Sequence, residues 1–285
     1  MPAGTRREYL AAPRAPAFMA RAILVPRRPG LKGGLRSLAA TWRNHSVDGA
    51  QLDAYLALTG LEAHPLWPLL YPHVAGFRLP MSLLTDFSFP FPIWGALQVR
   101  NRIVLREPFV RGETLELSAG VADARVLDKG AEIDIACAAW RGGTLVWESV
   151  NTFYYRGRYG APQAASPLAA APTVDGAPVA EWTPPAGSRA RFGRVTGDYN
   201  GIHLSNWYAR LFGFRGAFHH PQRVLGQCLA RLPRRDGATP VTLDAWLKGP
   251  VYYGAKVSLR VDDDGSAFAL FVEGDDRPAI LGRLQ

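Results

Sequence analysis

Two stretches of this 285-residue chain follow one plan. "EPFVRGETLELSAGV" (107–121) and "GPVYYGAKVSLRVDD" (249–263) place Pro108, Gly112 and Leu117 at the same offsets as Pro250, Gly254 and Leu259. Just upstream, "RIVLR" and "DAWLK" both alternate apolar and polar residues into the proline, the period of a half-buried strand. The order of elements around these anchors repeats as well. In the first part, "QLDAYLALTG" reads as a short helix ending at Gly60, Pro68–Leu84 as a buried helix, and 96–106, 114–127, 131–141 and 144–155 as strands. In the second, 205–212 reads as a short helix and 221–232 as a buried one. Strands follow at 241–248, 256–261, 267–273 and 279–284, with "VDDDGS" as a hairpin turn. A helix followed by an antiparallel meander, twice over, is an α+β architecture: two sheets, each wrapped on a central helix.

The predicted boundaries follow from composition. "RYGAPQAASPLAAAPTVDGAPVAEWTPPAGS" (158–188) is rich in Ala, Pro and Gly without an apolar period, so it reads as a linker. It separates a first repeat over 48–157 from a second over 189–285. Residues 1–47 hold nine arginines and lysines (Arg6, Arg7, Arg14, Arg21, Arg27, Arg28, Lys32, Arg36, Arg43) against Glu8 alone, and carry most of the formal net charge of +9. This segment reads as a basic arm with a solvated edge. It lacks the interleaved aromatics of a single-strand binder, and no helix-turn-helix or zinc-finger spacing accompanies it, so no nucleic-acid partner is expected.

Only Cys137 and Cys228 are present, too few for a disulfide framework or a cysteine zinc site, and a reducing, cytoplasmic compartment fits. No secretory signal pattern is visible. The longest uncharged apolar run, 63–77, is interrupted by Pro65, Pro68 and Pro72 and is too short to cross a bilayer. No membrane partner is expected.

The chemistry concentrates in "TGDYNGIHLSNWYARLFGFRGAFHHPQ" (196–222). Asp198 and His203 are a carboxylate and an imidazole five residues apart. Gly197 and Gly201 permit a tight loop that turns both toward one point, and Asn200 is suited to hold that loop through backbone hydrogen bonds. Such a pair sharing one water can take a proton from it and return a proton to carbon. A plainer reading makes Asp198 and Asn200 turn residues, Ser205 a helix cap and His203 a satisfied core histidine. Trp207, Tyr208 and Phe212 read as packing at helical spacing. A metal on His203, His219 and His220 is not expected, because adjacent side chains point apart and no acidic i+4 partner appears. The nucleophile elbow, the phosphate loop and the dinucleotide fingerprint are all absent.

The segment resembles the signature of the MaoC-like dehydratases and (R)-specific enoyl-CoA hydratases, S/T-G-D-x-N-P-I-H followed by a short helix. Thr196, Gly197, Asp198, Asn200, Ile202 and His203 match it, with Gly201 in place of the proline. "FPFPIWGALQVRNRI" (89–103) in the first half agrees too. The resemblance implies a double hotdog fold and an acyl thioester of coenzyme A or acyl carrier protein as substrate. It implies no separate cofactor, and Asp198 and His203 as the catalytic pair supported by Asn200, Gly197 and Ser205. It further implies that His219, His220, Pro221 and Gln222 face the thioester. The activity implied is reversible hydration of a trans-2-enoyl thioester to the (R)-3-hydroxyacyl form. The family's His-Gly falls here on His220 and Pro221. Proline has no N–H, so the expected donor to the thioester oxygen is missing. That departure keeps open a catalytically weak thioester-binding protein or partner subunit, and the fold keeps open a thioesterase. The first repeat, with His73, Phe77 and Met81 in "YPHVAGFRLPMSLL", carries no acid–base pair and reads as the wall of an acyl tunnel or as ordinary core. Pairing of exposed sheet edges makes an internal pseudodimer that dimerises again the expected assembly.

Overall fold

A computed structural model of the chain describes residues 5–24, 29–31, 35–62, 64–162, 164–233 and 239–285. Its strands are β1 (Thr5–Tyr9), β2 (Leu38–Ser46), β3 (Leu97–Leu105), β4 (Thr114–Leu127), β5 (Gly130–Arg141), β6 (Thr144–Arg156), β7 (Pro178–Trp182), β8 (Val241–Leu247), β9 (Val257–Val261), β10 (Ala267–Val272) and β11 (Pro278–Leu284). They form one sheet in the order β1-β2-β4-β5-β6-β3-β8-β11-β10-β9-β7. All pairings are antiparallel except β1 with β2.

The helices are α1 (Ala15–Leu24), α2 (Gly49–Thr59), α3 (Trp67–Gly76), α4 (Arg78–Leu84), α5 (Arg189–Thr196), α6 (Gly201–Leu204), α7 (Asn206–Leu211) and α8 (Pro221–Leu229).

The repeat seen in the sequence is a repeat in space. β2-β4-β5-β6-β3 and β7-β9-β10-β11-β8 have the same order, each built around a buried helix, α3 in one half and α8 in the other. Gly112 and Gly254 adopt matching left-handed conformations, φ +91° and +85°, at the turns into β4 and β9. Leu117 and Leu259 are both buried one layer further on. "RIVLR" and "DAWLK" end up beside each other: Arg102 pairs with Asp244 across the β3–β8 seam. These two residues stand equally far ahead of Pro108 and Pro250, so the pseudo-two-fold axis runs through that pair. Next to it, Arg100 clamps Asp244 with Nε and Nη2 at 2.8 and 2.5 Å, joining the halves by a charged fork that is largely shielded from solvent.

Three sequence expectations change. The segment expected as a free basic arm supplies β1, α1 and β2, and β2 is an integral strand hydrogen-bonded to β4. Three of its arginines are engaged: Arg7 with Asp86, Arg21 with the Thr85 hydroxyl, Arg43 with Glu8 and Glu116. The basic residues of this segment hide the strand in the sequence, whereas "LAATW" has the small and apolar residues that a strand buries. Arg27, Arg28 and Lys32 lie outside the described residues. The segment expected as a linker carries β7, the edge strand of the second half. Its Val174 packs on Trp246 and Leu281, so it is tied down along much of its length. The single helix expected over 68–84 is two, α3 and α4. Pro80 has no N–H to bond the Gly76 carbonyl, and the chain turns at Phe77.

Candidate active site

α5 ends at Gly197, whose φ of +80° only glycine adopts without strain, and its N–H closes the helix on the Gly193 carbonyl. A side chain there would strike Arg78 of α4, which packs on the loop from the first half. Beyond it the loop is knitted by its own short polar residues. The Thr196 hydroxyl accepts from the Asp198 N–H (3.0 Å), Asp198 Oδ1 from the Asn200 N–H (3.0 Å), and Asn200 Oδ1 from the Ile202 N–H (3.2 Å), which caps α6. Ser205 caps α7 in the same way. The turn-and-cap reading of Asp198, Asn200 and Ser205 is therefore accurate, and it is also the device that aims Asp198: Oδ1 is taken by the loop and Oδ2 faces His203.

His203 lies on α6 and is buried. Its Nδ1–H donates to the Phe218 carbonyl at 3.0 Å, leaving Nε2 as a lone-pair acceptor 3.9 Å from Asp198 Oδ2. That gap is too wide for a hydrogen bond and suits one water bonded to both. Burial lowers the His203 pKa from its ordinary value, against the opposing pull of the Asp198 charge and the Phe218 carbonyl. The imidazole is thus neutral at neutral pH.

His220 stacks on His203 with ring centroids 4.0 Å apart and donates Nε2–H to the Asp198 carbonyl at 3.2 Å. Asp198, His203 and His220 bring one ligand-type atom each within 4.8 Å of one another. This trio differs from the His203, His219 and His220 set considered in the sequence, because Asp198 joins the histidines only through the fold.

His219 is a correction. It does not border the cavities at the site but packs on Tyr253 and bonds Arg223 through Nδ1 at 3.0 Å. In extended chain successive side chains alternate, so turning His220 inward turns His219 away. Pro221 opens α8 and borders the site, while Gln222 faces a small side chamber. Trp207 is also corrected: it is 69% exposed, and of the three aromatics on this turn Tyr208 and Phe212 pack on each other.

The cavity, about 250 Å3, lies between the halves. The second half lines it with Asp198, Asn200, His203 and Pro221 and with the apolar Ile202, Phe214 and Phe218. The first half contributes a predominantly apolar wall that includes Phe77, Met81, Ile93, Trp94 and Phe153, with Met19 from α1. Sequence reasoning missed Met19, because α1 was hidden in the basic segment. It also missed Gln98, which stands in the flagged "FPFPIWGALQVRNRI" run but has no motif of its own.

No family model matches the chain. It is 30% identical over 192 residues to 3-hydroxyacyl-thioester dehydratase X of Mycobacterium tuberculosis, an alignment that covers 66% of this chain and 68% of that protein. The chain belongs to the MaoC-like dehydratase family. The crystal structure of HtdX from the same organism superposes with a TM-score of 0.70 at 25% identity, covering 86% of this chain and 98% of that one. A second protein of Mycobacterium tuberculosis, a conserved hypothetical protein described as a double hotdog, superposes with a TM-score of 0.57 at 16% identity, over 90% of this chain and 97% of its own. The fold is a double hotdog, and the paired sheets on β3 and β8 are a fused, dimer-like arrangement within one chain.

Proposed function

We infer that this MaoC-like dehydratase catalyses the reversible hydration of a trans-2-enoyl thioester to the (R)-3-hydroxyacyl thioester, with Asp198 and His203 as the catalytic pair. The observation that carries the reading is the placement of Asp198 Oδ2 and the unprotonated His203 Nε2 on either side of a water-sized gap at the edge of an apolar cavity. Water held between them loses a proton to His203 as its oxygen bonds the β-carbon. The electron pair of the double bond shifts to the α-carbon through the thioester. The proton is then delivered to the α-carbon, so that the pair ends as it began. Each partner is expected to contribute ~10²–10⁴-fold. Asn200 and Gly197 shape the loop, and Ser205 anchors the helix behind it. The acyl chain lies against Phe77, Met81 and Phe153, the carrier being coenzyme A or acyl carrier protein, with no separate cofactor.

The negative charge that develops on the thioester oxygen needs a donor, and Pro221 offers none. In the first turn of α8, Arg223 and Val224 donate back to the His220 carbonyl. The Gln222 N–H has no acceptor among the described residues and is the nearest substitute at this helix N-terminus. Pro221 favours one second reading, a thioester-binding subunit with weak turnover. The second half, roughly 178–285, is the catalytic repeat. The free thiols of Cys137 and Cys228 accord with a reducing, cytoplasmic setting. Among the described residues no helix is long and apolar enough to cross a membrane. Light scattering tests the expected homodimer.

The deciding assay offers crotonyl-CoA and longer enoyl-CoAs and follows enoyl absorbance and free thiol separately. Hydration removes the enoyl signal without releasing thiol. Thiol release indicates a thioesterase. Neither signal, with thermal stabilisation by the ligand, indicates the binding subunit.

A further inference from the structure

Behind the catalytic pair lies a second, smaller chamber of about 30 Å3, bordered by His73, Thr196, Phe192, Asp198, His220 and Gln222. It shares Phe77, Gln98, Asp198 and Pro221 with the main cavity, so the two adjoin at the reacting site. Its walls hold polar atoms without partners. Both ring nitrogens of His73 and Oε1 of Gln222 are buried and make no hydrogen bond. The two residues are 3% and 6% exposed, so bulk solvent does not satisfy them. Leaving such groups unmade is costly, and a native interior rarely does so without a ligand or water.

The orientation of Gln222 is set from a distance. The Asn151 amide donates toward the Ile135 carbonyl, which can only accept, and so presents Oδ1 to Gln98. Gln98 Nε2 donates to that oxygen at 2.9 Å, and its own Oε1 accepts from Gln222 Nε2 at 3.1 Å. This chain of three amides runs from the first half's sheet to the first turn of α8 and leaves Gln222 Oε1 as an unpaired acceptor. His73, kept neutral by burial with its pKa pushed down to about 3, offers one N–H and one lone pair. A chamber of this size has room for a single water, which needs two to four polar partners.

We propose that this chamber is the reserve for the reacting water: His73 and Gln222 keep one water molecule behind Asp198 while the acyl chain fills the main cavity, and that water passes into the gap between Asp198 and His203 for hydration and returns on dehydration. The first half would then contribute a positioning residue, His73, to chemistry carried by the second. The proposal rests on the hydratase reading.

The test uses the full chain with crotonyl-CoA. His73→Leu removes both ring nitrogens at similar volume and is expected to lower kcat about tenfold or more, with KM within about twofold and no loss of melting temperature. His73→Gln, whose amide again holds water, is expected to recover most of that loss. A high-resolution crystal structure of the unsubstituted protein is expected to show one water bonded to Gln222 Oε1 and to His73, and it decides the matter should the variants fail to fold. A dry chamber, or an unchanged kcat in His73→Leu, overturns the proposal and leaves the hydratase reading standing. An unsubstituted protein that does not hydrate enoyl-CoA overturns the hydratase reading itself.

Discussion

The central helices of the two halves occupy equivalent places and differ in what they bury. α3 and α4 in the first half are mostly apolar, with Leu69, Leu70, Val74, Leu79 and Leu83 packed out of solvent and His73 and Ser82 as buried polar exceptions. α8 in the second half buries Gln222, Arg223 and Gln227 along with Val224, Leu225 and Leu229. Two of those polar groups are satisfied by neighbours: Arg223 donates to the Leu58 and Pro185 carbonyls, and Gln227 to the same Leu58 carbonyl, while Gln222 is bonded through Nε2 and keeps Oε1 unpaired. The first half could therefore specialise in apolar wall, and the second in a polar scaffold that carries the motif loop. Duplication kept the topology and divided the labour, since a fold needs volume and pattern from its core whereas chemistry needs a few oriented polar atoms.

The comparison breaks most sharply at the motif. Asp198→Ala and His203→Ala are each expected to lower kcat for crotonyl-CoA by about a thousandfold while leaving the melting temperature within a few degrees. A comparable loss from any first-half substitution that leaves the fold intact would contradict the division. Next in size is the tunnel. Met81→Trp adds bulk to the apolar wall and is expected to cut kcat/KM for long enoyl-CoAs about tenfold or more relative to crotonyl-CoA, read from a chain-length series.

A smaller effect sharpens the account of α8. Pro221→Gly adds a second N–H beside that of Gln222, and a few-fold rise in kcat is expected, up to about tenfold. No rise would mean that the Gln222 N–H already bears the developing charge alone.

The smallest effects concern pH. His203 acts as a base only when neutral, and burial lowers its pKa. Consequently kcat/KM is expected to hold across neutral pH and to fall only below the ordinary histidine range. Stability follows the buried histidines of both halves. His73 and His219 have pKa values pushed down by burial to about 3. Between about 6.5 and 3 the unfolded chain binds protons that the folded chain refuses, so stability declines as pH falls, by at most about 1.4 kcal/mol per pH unit for each such group. Melting curves from pH 7 down to about 5 should show this slope, shallower in His73→Leu.

Much of this molecule was legible in the sequence because its signals are local and periodic. Strand alternation located β3 to β6 and β8 to β11 within a residue or two, and Gly60 and Gly112 marked turns that need left-handed backbone. The resemblance around Thr196 to His203 pointed to the loop, whose hydrogen bonds run almost entirely between residues two apart. Only the tertiary structure could show that β2 and β7 complete the sheets, since strands of small or proline-flanked residues have no strong period, and charge or low complexity masked both. The juxtaposition of His73, Gln98 and Gln222, and the outward turn of His219 against the inward turn of His220, depend on packing between distant segments. Local pattern decides which element forms, but which side chains meet at a cavity is decided by how the two sheets close on their helices.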